Sequence, residues 1–264
     1  MGRRLDDVRL AVMMLDGLEI AGRVHVVALG ITTGGVKMPL GLWEGSTENA
    51  TLARTLLADL VERGLDPEQA ILFVLDGGKA LRRAIKDVFG EHALVCHRHN
   101  ERNVCDLLPE RDRPRVLATI RGAWALTDPV KAGKQLEQLA GELERTWPDA
   151  GASMREGLSE TLTLMRLEIT GKLSKTLCST NPIESMIEIV RHTQRNVKRW
   201  QDGDMRKRWT AAGMLQAEQQ FRRIVGYSDL AKLVVAIERC HLVDKNPTHP
   251  ERPLTVPAGE LATV

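Results

Sequence analysis

The feature that most constrains this chain is a change of hydrophobic period near residue 100. Upstream of it lie short apolar runs separated by turn residues. Downstream, from about Asn100 to Lys175, period-two alternation is missing. Instead Leu107, Leu108, Val116, Leu117, Ile120, Trp124, Leu136, Leu139, Leu143, Trp147, Leu158, Leu162 and Met165 recur at helical spacing. Side chains of a strand alternate every two residues and those of a helix return every 3.6, so a chain carrying both patterns must join a sheet to an all-helical stretch. Pro109, Pro114, Pro129 and Pro148 divide that stretch into shorter helices.

The upstream part reads in order. Val8 to Leu15 is strand-like and Asp16-Gly17 ends it; Arg23 to Ile31 and Val36 to Trp43 follow, separated by the turn residues Thr32-Thr33-Gly34-Gly35. These three segments predict an antiparallel meander. Ser46 to Asn49 opens a helix through Leu52, Leu56, Leu57, Leu60 and Val61, which Gly64 closes. Ile71 to Leu75 is a buried strand ending in Asp76-Gly77-Gly78, followed by a helix over about 79–88 and a short strand at 93–95. The expected fold class is therefore α/β with a mixed sheet. Met205 to Val225 and Leu230 to Cys240 read as further helices, giving predicted units 1–99, 100–175 and 176–245, with a loose tail over 246–264.

Between the helical stretch and those last helices lies Ser179-Thr180-Asn181-Pro182-Ile183-Glu184-Ser185. Asn181 is a good N-cap and Pro182 suits the first helical position, so a helix begins here with Glu184 in its first turn. Ile183, Met186, Ile187, Ile189, Val190 and Val197 gather on one side of it, while Glu184, Glu188, Arg191, Arg195 and Lys198 gather on another. Two readings stand side by side. Glu184 completes a capping box with Asn181 on a solvated face, or it is a carboxylate beside a basic ladder. A net charge of +2 decides nothing, but between Arg191 and Arg208 seven basic residues face only Asp202 and Asp204. With one Tyr, three Phe and five Trp, the chain is better suited to phosphate contacts than to stacking splayed bases.

Asp16 and Asp76 each stand at the end of a predicted strand, where open α/β sheets place ligands. Should those strands be neighbours, both carboxylates project from one sheet edge. Two Asp and a Glu are hard oxygen donors suited to Mg²⁺ or Mn²⁺, and two such ions about 3.5–4 Å apart support in-line displacement at a phosphodiester. The plain alternative is that each Asp-Gly only turns the chain. Cys96 and His99 have zinc-ligand spacing, yet no second Cys/His pair accompanies them, so a packed pair is the better reading. Lys79, Arg82 and Arg83 are either phosphate contacts or a solvated face. Four scattered cysteines point to a reducing compartment, and no apolar run is long enough to span a bilayer, so the expectation is a cytoplasmic protein without a membrane partner.

Several motifs then fall into line: Leu15-Asp16-Gly17; Gly41-Leu42-Trp43-Glu44-Gly45-Ser46-Thr47-Glu48-Asn49; Leu75-Asp76-Gly77-Gly78-Lys79-Ala80; Cys96-His97-Arg98-His99 with Arg102-Asn103-Val104; Ser179 to Ser185; and Arg195-Asn196-Val197-Lys198-Arg199-Trp200. In that order, from about Leu15 to about Tyr227, they resemble the Mutator family of bacterial insertion-sequence transposases. The resemblance implies an RNase H-like core with an all-helical insertion before the last catalytic acidic residue. It implies a D-D-E site at Asp16, Asp76 and Glu184 holding Mg²⁺ or Mn²⁺, with Cys96 and His99 as a structural pair near that site. It further implies cleavage at an element's terminal inverted repeats and strand transfer into target DNA, by a nucleoid-associated homo-oligomer. Arg191, Arg195, Lys198 and Arg199 are the expected DNA contacts. Family members also carry an N-terminal region that recognises the repeats, whereas this chain starts almost at the first catalytic strand, so a truncated copy or a split-gene fragment is expected. The competing expectations are a non-catalytic DNA-binding remnant and a stand-alone RNase H-like nuclease.

Overall fold

The structure is a computed structural model and describes residues 2–46, 49–76, 78–90, 93–97, 100–201 and 204–245, the side chains at 97, 100, 102 and 242–245 excepted. The sequence-predicted tail over 246–264 and His99 lie outside the described residues.

Among the described residues five strands form one sheet: β1 (Leu10–Ile20), β2 (Arg23–Thr32), β3 (Lys37–Gly45), β4 (Leu72–Leu75) and β5 (Leu94–His97), in the order β3-β2-β1-β4-β5. The first three make the antiparallel meander, while β4 pairs parallel with β1 and β5 parallel with β4. The mixed α/β sheet expected from the sequence is present. One expectation is corrected: Asp16-Gly17 does not end β1. Antiparallel pairing of Asp16 with Val27 and Gly17 with Val26 carries the strand on to Ile20, so tertiary pairing overrides a dipeptide that favours turns. The turn at Thr32-Gly35 is where it was expected, closed by Gly35 N–H donating to the Thr32 carbonyl at 2.8 Å.

Both faces of the sheet are covered. On one side α1 (Ala50–Glu62) and α2 (Lys79–Phe89) pack Leu52, Leu56, Leu57, Leu60, Leu81, Ile85 and Phe89 against Met13, Leu15, Phe73 and Leu75. Asn49 caps α1, its side chain accepting from the Leu52 N–H at 2.8 Å. On the other side α9 (Gly171–Leu177), α10 (Asn181–Gln194), α11 (Met205–Gln220) and α12 (Leu230–Lys245) bury Leu173, Ile183, Met186, Ile187, Val190, Met214 and Leu233 against Val12, Met14, Leu18, Leu72 and Val74. Being covered twice, β1 and β4 are nearly continuous in apolar residues, as a sheet buried on both faces requires.

Between β5 and α9 the chain is helical: α3 (Asn100–Asp106), α4 (Arg113–Trp124), α5 (Pro129–Thr146), α6 (Pro148–Arg155), α7 (Leu158–Thr161) and α8 (Thr163–Arg166). Pro129 and Pro148 open helices rather than merely interrupting one, since a helix start has no use for the missing N–H. This segment has its own apolar cluster, running from Val104 through Ile120, Leu136, Leu139 and Leu143 to Leu162. It is tied to the sheet half by the buried Thr163 hydroxyl, which donates to the Val95 carbonyl at 2.7 Å, and by ion pairs from α2: Lys79 with Glu156 at 3.2 Å and Arg82 with Glu160 at 3.0 Å. Lys79 and Arg82 thus dock helices onto each other, and Arg83 pairs with Asp87 along its own helix at 2.9 Å.

Candidate active site

Parallel register fixes the relation of the two aspartates. Leu15 pairs with Leu75, so Asp16 and Asp76 are each one step beyond partnered residues of adjacent parallel strands. Alternation then decides the face. Met14 and Val74 point into the cluster covered by α10, Leu15 and Leu75 into the other, and Asp16 falls on the α10 side. Asp16 Oδ1 accepts from the Gly17 N–H at 2.7 Å, which orients the carboxylate locally. After Asp76 the chain turns into α2 through Gly78 at φ +85°, a left-handed conformation that glycine adopts without strain.

Glu184 comes from the first turn of α10, and the cap differs from the one predicted. Thr180, not Asn181, is the N-cap; its carbonyl accepts from Ile183 N–H at 3.0 Å and Glu184 N–H at 2.9 Å. Asn181 is already helical, its N–H donating to Ser179 Oγ at 2.9 Å. The capping-box alternative built on Asn181 therefore falls away, and the Thr180 hydroxyl donates to Glu184 Oε1 instead. Ile183, Met186, Ile187 and Val190 are buried while Glu184, Glu188 and Arg191 are exposed, so the predicted two-sided helix is present; Ile189 is only half-buried. The helix ends at Gln194. Lys198 and Arg199 consequently lie beyond it and do not continue a helical ladder with Arg191.

Asp16, Asp76 and Glu184 line one open cleft of about 650 Å³, together with Gly17, Asn181, Ser185, Ile187, Glu188 and Arg191. The sequence pattern puts Glu188 on the face of Glu184 without giving it a role; four-residue spacing along the helix is the signal that carries it into the same cleft. Among the described residues the cleft lining thus holds four carboxylates and one guanidinium. Hard oxygen donors of this kind suit a small divalent ion. As they stand, no three His, Cys, Asp or Glu side chains among the described residues are gathered closely enough to hold a metal ion. The donor set fits such an ion in kind, and the cleft it lines is roomy enough for one that keeps part of its water shell.

The other candidates are distributed as follows. Arg191, Arg195, Lys198 and Arg199 are exposed, and none forms an ion pair with a described residue. Only Arg191 reaches the cleft. Arg206 of the same basic run is 12% exposed and donates through Nε to Glu44 Oε1 at 3.1 Å, which removes it from the solvent-facing charge. Lys207 pairs with Asp204 at 3.2 Å. Behind Glu44 is His25, fully buried, its Nε2 3.5 Å from Glu44 Oε2. Burial pushes the His25 imidazole below its ordinary pKa, the Glu44 carboxylate opposes that, and Arg206 adds to it. Glu44, singled out in the sequence as part of a motif, is thereby a partner of buried charge on β3.

Cys96 is buried among the apolar residues of the sheet, the packed position expected for it, while its companion His99 is outside the described residues. All four cysteines are free thiols. Trp124 and Trp147 pack on the cluster of the helical segment, whereas Trp209 on α11 is 37% exposed. No helix among the described residues is long and apolar enough to cross a membrane.

Comparison with known proteins matches residues 1–223 to the family described as "Transposase, Mutator family". The chain is similar to a probable transposase for an insertion sequence element of Corynebacterium diphtheriae, 26% identical over 189 residues that cover 71% of this chain and 54% of the relative. A transposase of an insertion sequence element from Mycolicibacterium smegmatis is 26% identical over 186 residues, covering 68% and 56%. One from Acidithiobacillus ferrooxidans is 23% identical over 233 residues, covering 88% and 75%. The chain thus spans about half the length of the first two relatives.

Proposed function

The chain belongs to the Mutator family of transposases, and with that membership as premise we propose that its cleft performs metal-dependent cleavage and strand transfer of DNA. The single observation that carries this is the convergence of Asp16, Asp76 and Glu184, from β1, the end of β4 and α10, on one cleft that Arg191 also lines. In this reading the sheet is an RNase H-like core and α3 to α8 are its helical insertion. Asp16, Asp76 and Glu184 hold Mg²⁺ or Mn²⁺. When bound, such ions lower the pKa of the attacking water or 3′ hydroxyl and stabilise the departing oxygen of the phosphodiester. Arg191 binds the phosphate at the reacting position, and Arg195, Lys198 and Arg199 hold the backbone leading away from it. Cys96, buried on β5, shapes the sheet beside the site. DNA, both the element's terminal inverted repeats and the target, is the partner, engaged by a homo-oligomer.

The test is a duplex carrying the element's end incubated with the full chain and Mn²⁺. Wild type should nick or join it, and Asp76→Ala should leave no detectable product. Equal product from Asp76→Ala would remove the site. Neutralising Lys198 and Arg199 together should reduce the salt slope of DNA binding by about two, one for each phosphate left without its cation. Salt-sensitive binding with no cleavage under either metal would make the chain a DNA-binding module, and hydrolysis without joining would make it a nuclease.

A further inference from the structure

We propose that Thr180 is a positioning residue that fixes the carboxylate of Glu184 in the cleft; the inference rests on the metal-dependent reading above. Thr180 is 1% exposed, one of few buried polar residues among those described. Both parts of Glu184 are referenced to it. Its carbonyl accepts the Glu184 N–H at 2.9 Å, and its hydroxyl donates to Glu184 Oε1.

A threonine at an N-cap ordinarily uses its hydroxyl oxygen to accept from the N–H of the second or third helical residue. Thr180 makes no such side-chain bond, because its own carbonyl already serves Ile183 and Glu184. The hydroxyl proton is left for the carboxylate, and this separates positioning from capping. Glu184 is exposed and its side chain has several freely rotating bonds, so without a partner it would have to be ordered each time an ion binds. Thr180 orders it beforehand through the bond to Oε1. A neighbouring carboxylate, Glu188, sits one turn along the same face and repels Glu184; an anchored hydroxyl resists that displacement.

Loss of a group that orients a metal-binding side chain typically costs 10–100-fold in metal affinity. The experiment is a Mn²⁺ titration of the full chain without DNA, read from the electron paramagnetic resonance signal of free Mn²⁺, with circular dichroism melting as a check on folding. Thr180→Val should bind Mn²⁺ roughly tenfold more weakly, and Thr180→Ser, which keeps the hydroxyl, should stay within about twofold of wild type. Glu184→Gln should weaken binding at least as much, and adding Thr180→Val to it should weaken binding no further, since the hydroxyl acts only through that carboxylate. Should Thr180→Val fail to fold, Thr180→Ala deletes the same hydroxyl and carries the same expectation. Wild-type affinity in Thr180→Val alongside weakened Glu184→Gln would overturn the role of Thr180 and leave the metal reading standing. So would Thr180→Ser as weak as Thr180→Val, or additive losses in the double variant. Wild-type affinity in Glu184→Gln would instead end the metal reading at Glu184, and this inference with it.

Discussion

The sheet half and the helical segment are held together by opposite means. The apolar cluster between the sheet and α9–α12 draws on residues from Ala11 to Ile237, so it forms only when distant parts of the chain meet. The cluster of the helical segment runs from Val104 to Leu162, within one unbroken stretch. Among the described residues, all of the cleft's carboxylates belong to the first kind of structure and none to the second. The difference teaches what the helical segment does for the cleft: it takes up much of the chain between β5 and α9 in a core of its own, with Leu164 of α8 already joining the sheet's cluster, so that α10 can return to the face of the sheet. Its attachments to the sheet half include two ion pairs and one buried hydrogen bond, none of which involves a cleft residue.

The hardest blow to this contrast is a cavity in the local core. Leu136 on α5 is fully buried, and Leu136→Ala should cost about 2–5 kcal/mol through reduced burial and an unfilled hole. Hydrogen exchange followed by mass spectrometry should show protection falling across α4 to α6 while α10 keeps its own. Equal loss of protection in α10 would mean that the two halves unfold as one and that the contrast is only one of sequence distance.

A matched pair of glycines sharpens it. A β-carbon on Gly213 of α11 would lie 2.8 Å from Val190 Cα of α10, and one on Gly151 of α6 would lie 2.7 Å from the Glu144 nitrogen of α5. Each is a helix–helix approach against backbone that cannot yield easily, and alanine at either should cost about 1–3 kcal/mol. The consequences should part. Gly213→Ala displaces the helix that carries Glu184 and should weaken Mn²⁺ binding, whereas Gly151→Ala should lower the melting temperature with Mn²⁺ affinity intact. Weakened Mn²⁺ binding in Gly151→Ala would show that the helical segment braces the cleft.

The same division governs how much the sequence discloses. Local signals serve well: the period change near residue 100, the Thr32–Gly35 turn, the helix that opens after Ser46 to Asn49 and the two faces of α10 are all properties of neighbouring residues. Where long-range pairing decides, the sequence misleads. Asp16-Gly17 resembles a strand end because nothing local reveals that Val27 and Val26 continue the ladder beside it. Arg206 resembles one more surface cation because its partner, Glu44, is on β3. Asn181 is the better cap by propensity, yet the buried Thr180 takes that position. As for the cleft, Asp76 just past the end of β4 announces itself, but its adjacency to Asp16, inside β1, depends on β4 lying beside β1, which the pattern leaves open until the sheet order is known.

The finest distinction concerns charge. In the helical segment the ion pairs are surface ones, such as Arg115 with Glu142 at 3.5 Å, and contribute little. The sheet half instead buries His25 against Glu44, which also holds Arg206 on α11. Since burial lowers the His25 pKa from its ordinary 6.5, the folded state resists protonation while the unfolded chain accepts it. Above that ordinary value His25 adds no pH dependence; as pH falls from there toward the depressed folded value, the unfolded state binds more protons and stability is lost. Denaturant unfolding at about pH 7.5 and about pH 5.5 should show wild type losing more stability than His25→Gln, with the loss reported by exchange in β2, β3 and α11 rather than in α4 to α6. Equal losses in the two proteins would mean that Glu44 and Arg206 accommodate an imidazolium without cost, and the buried cluster would then be a tether indifferent to acid.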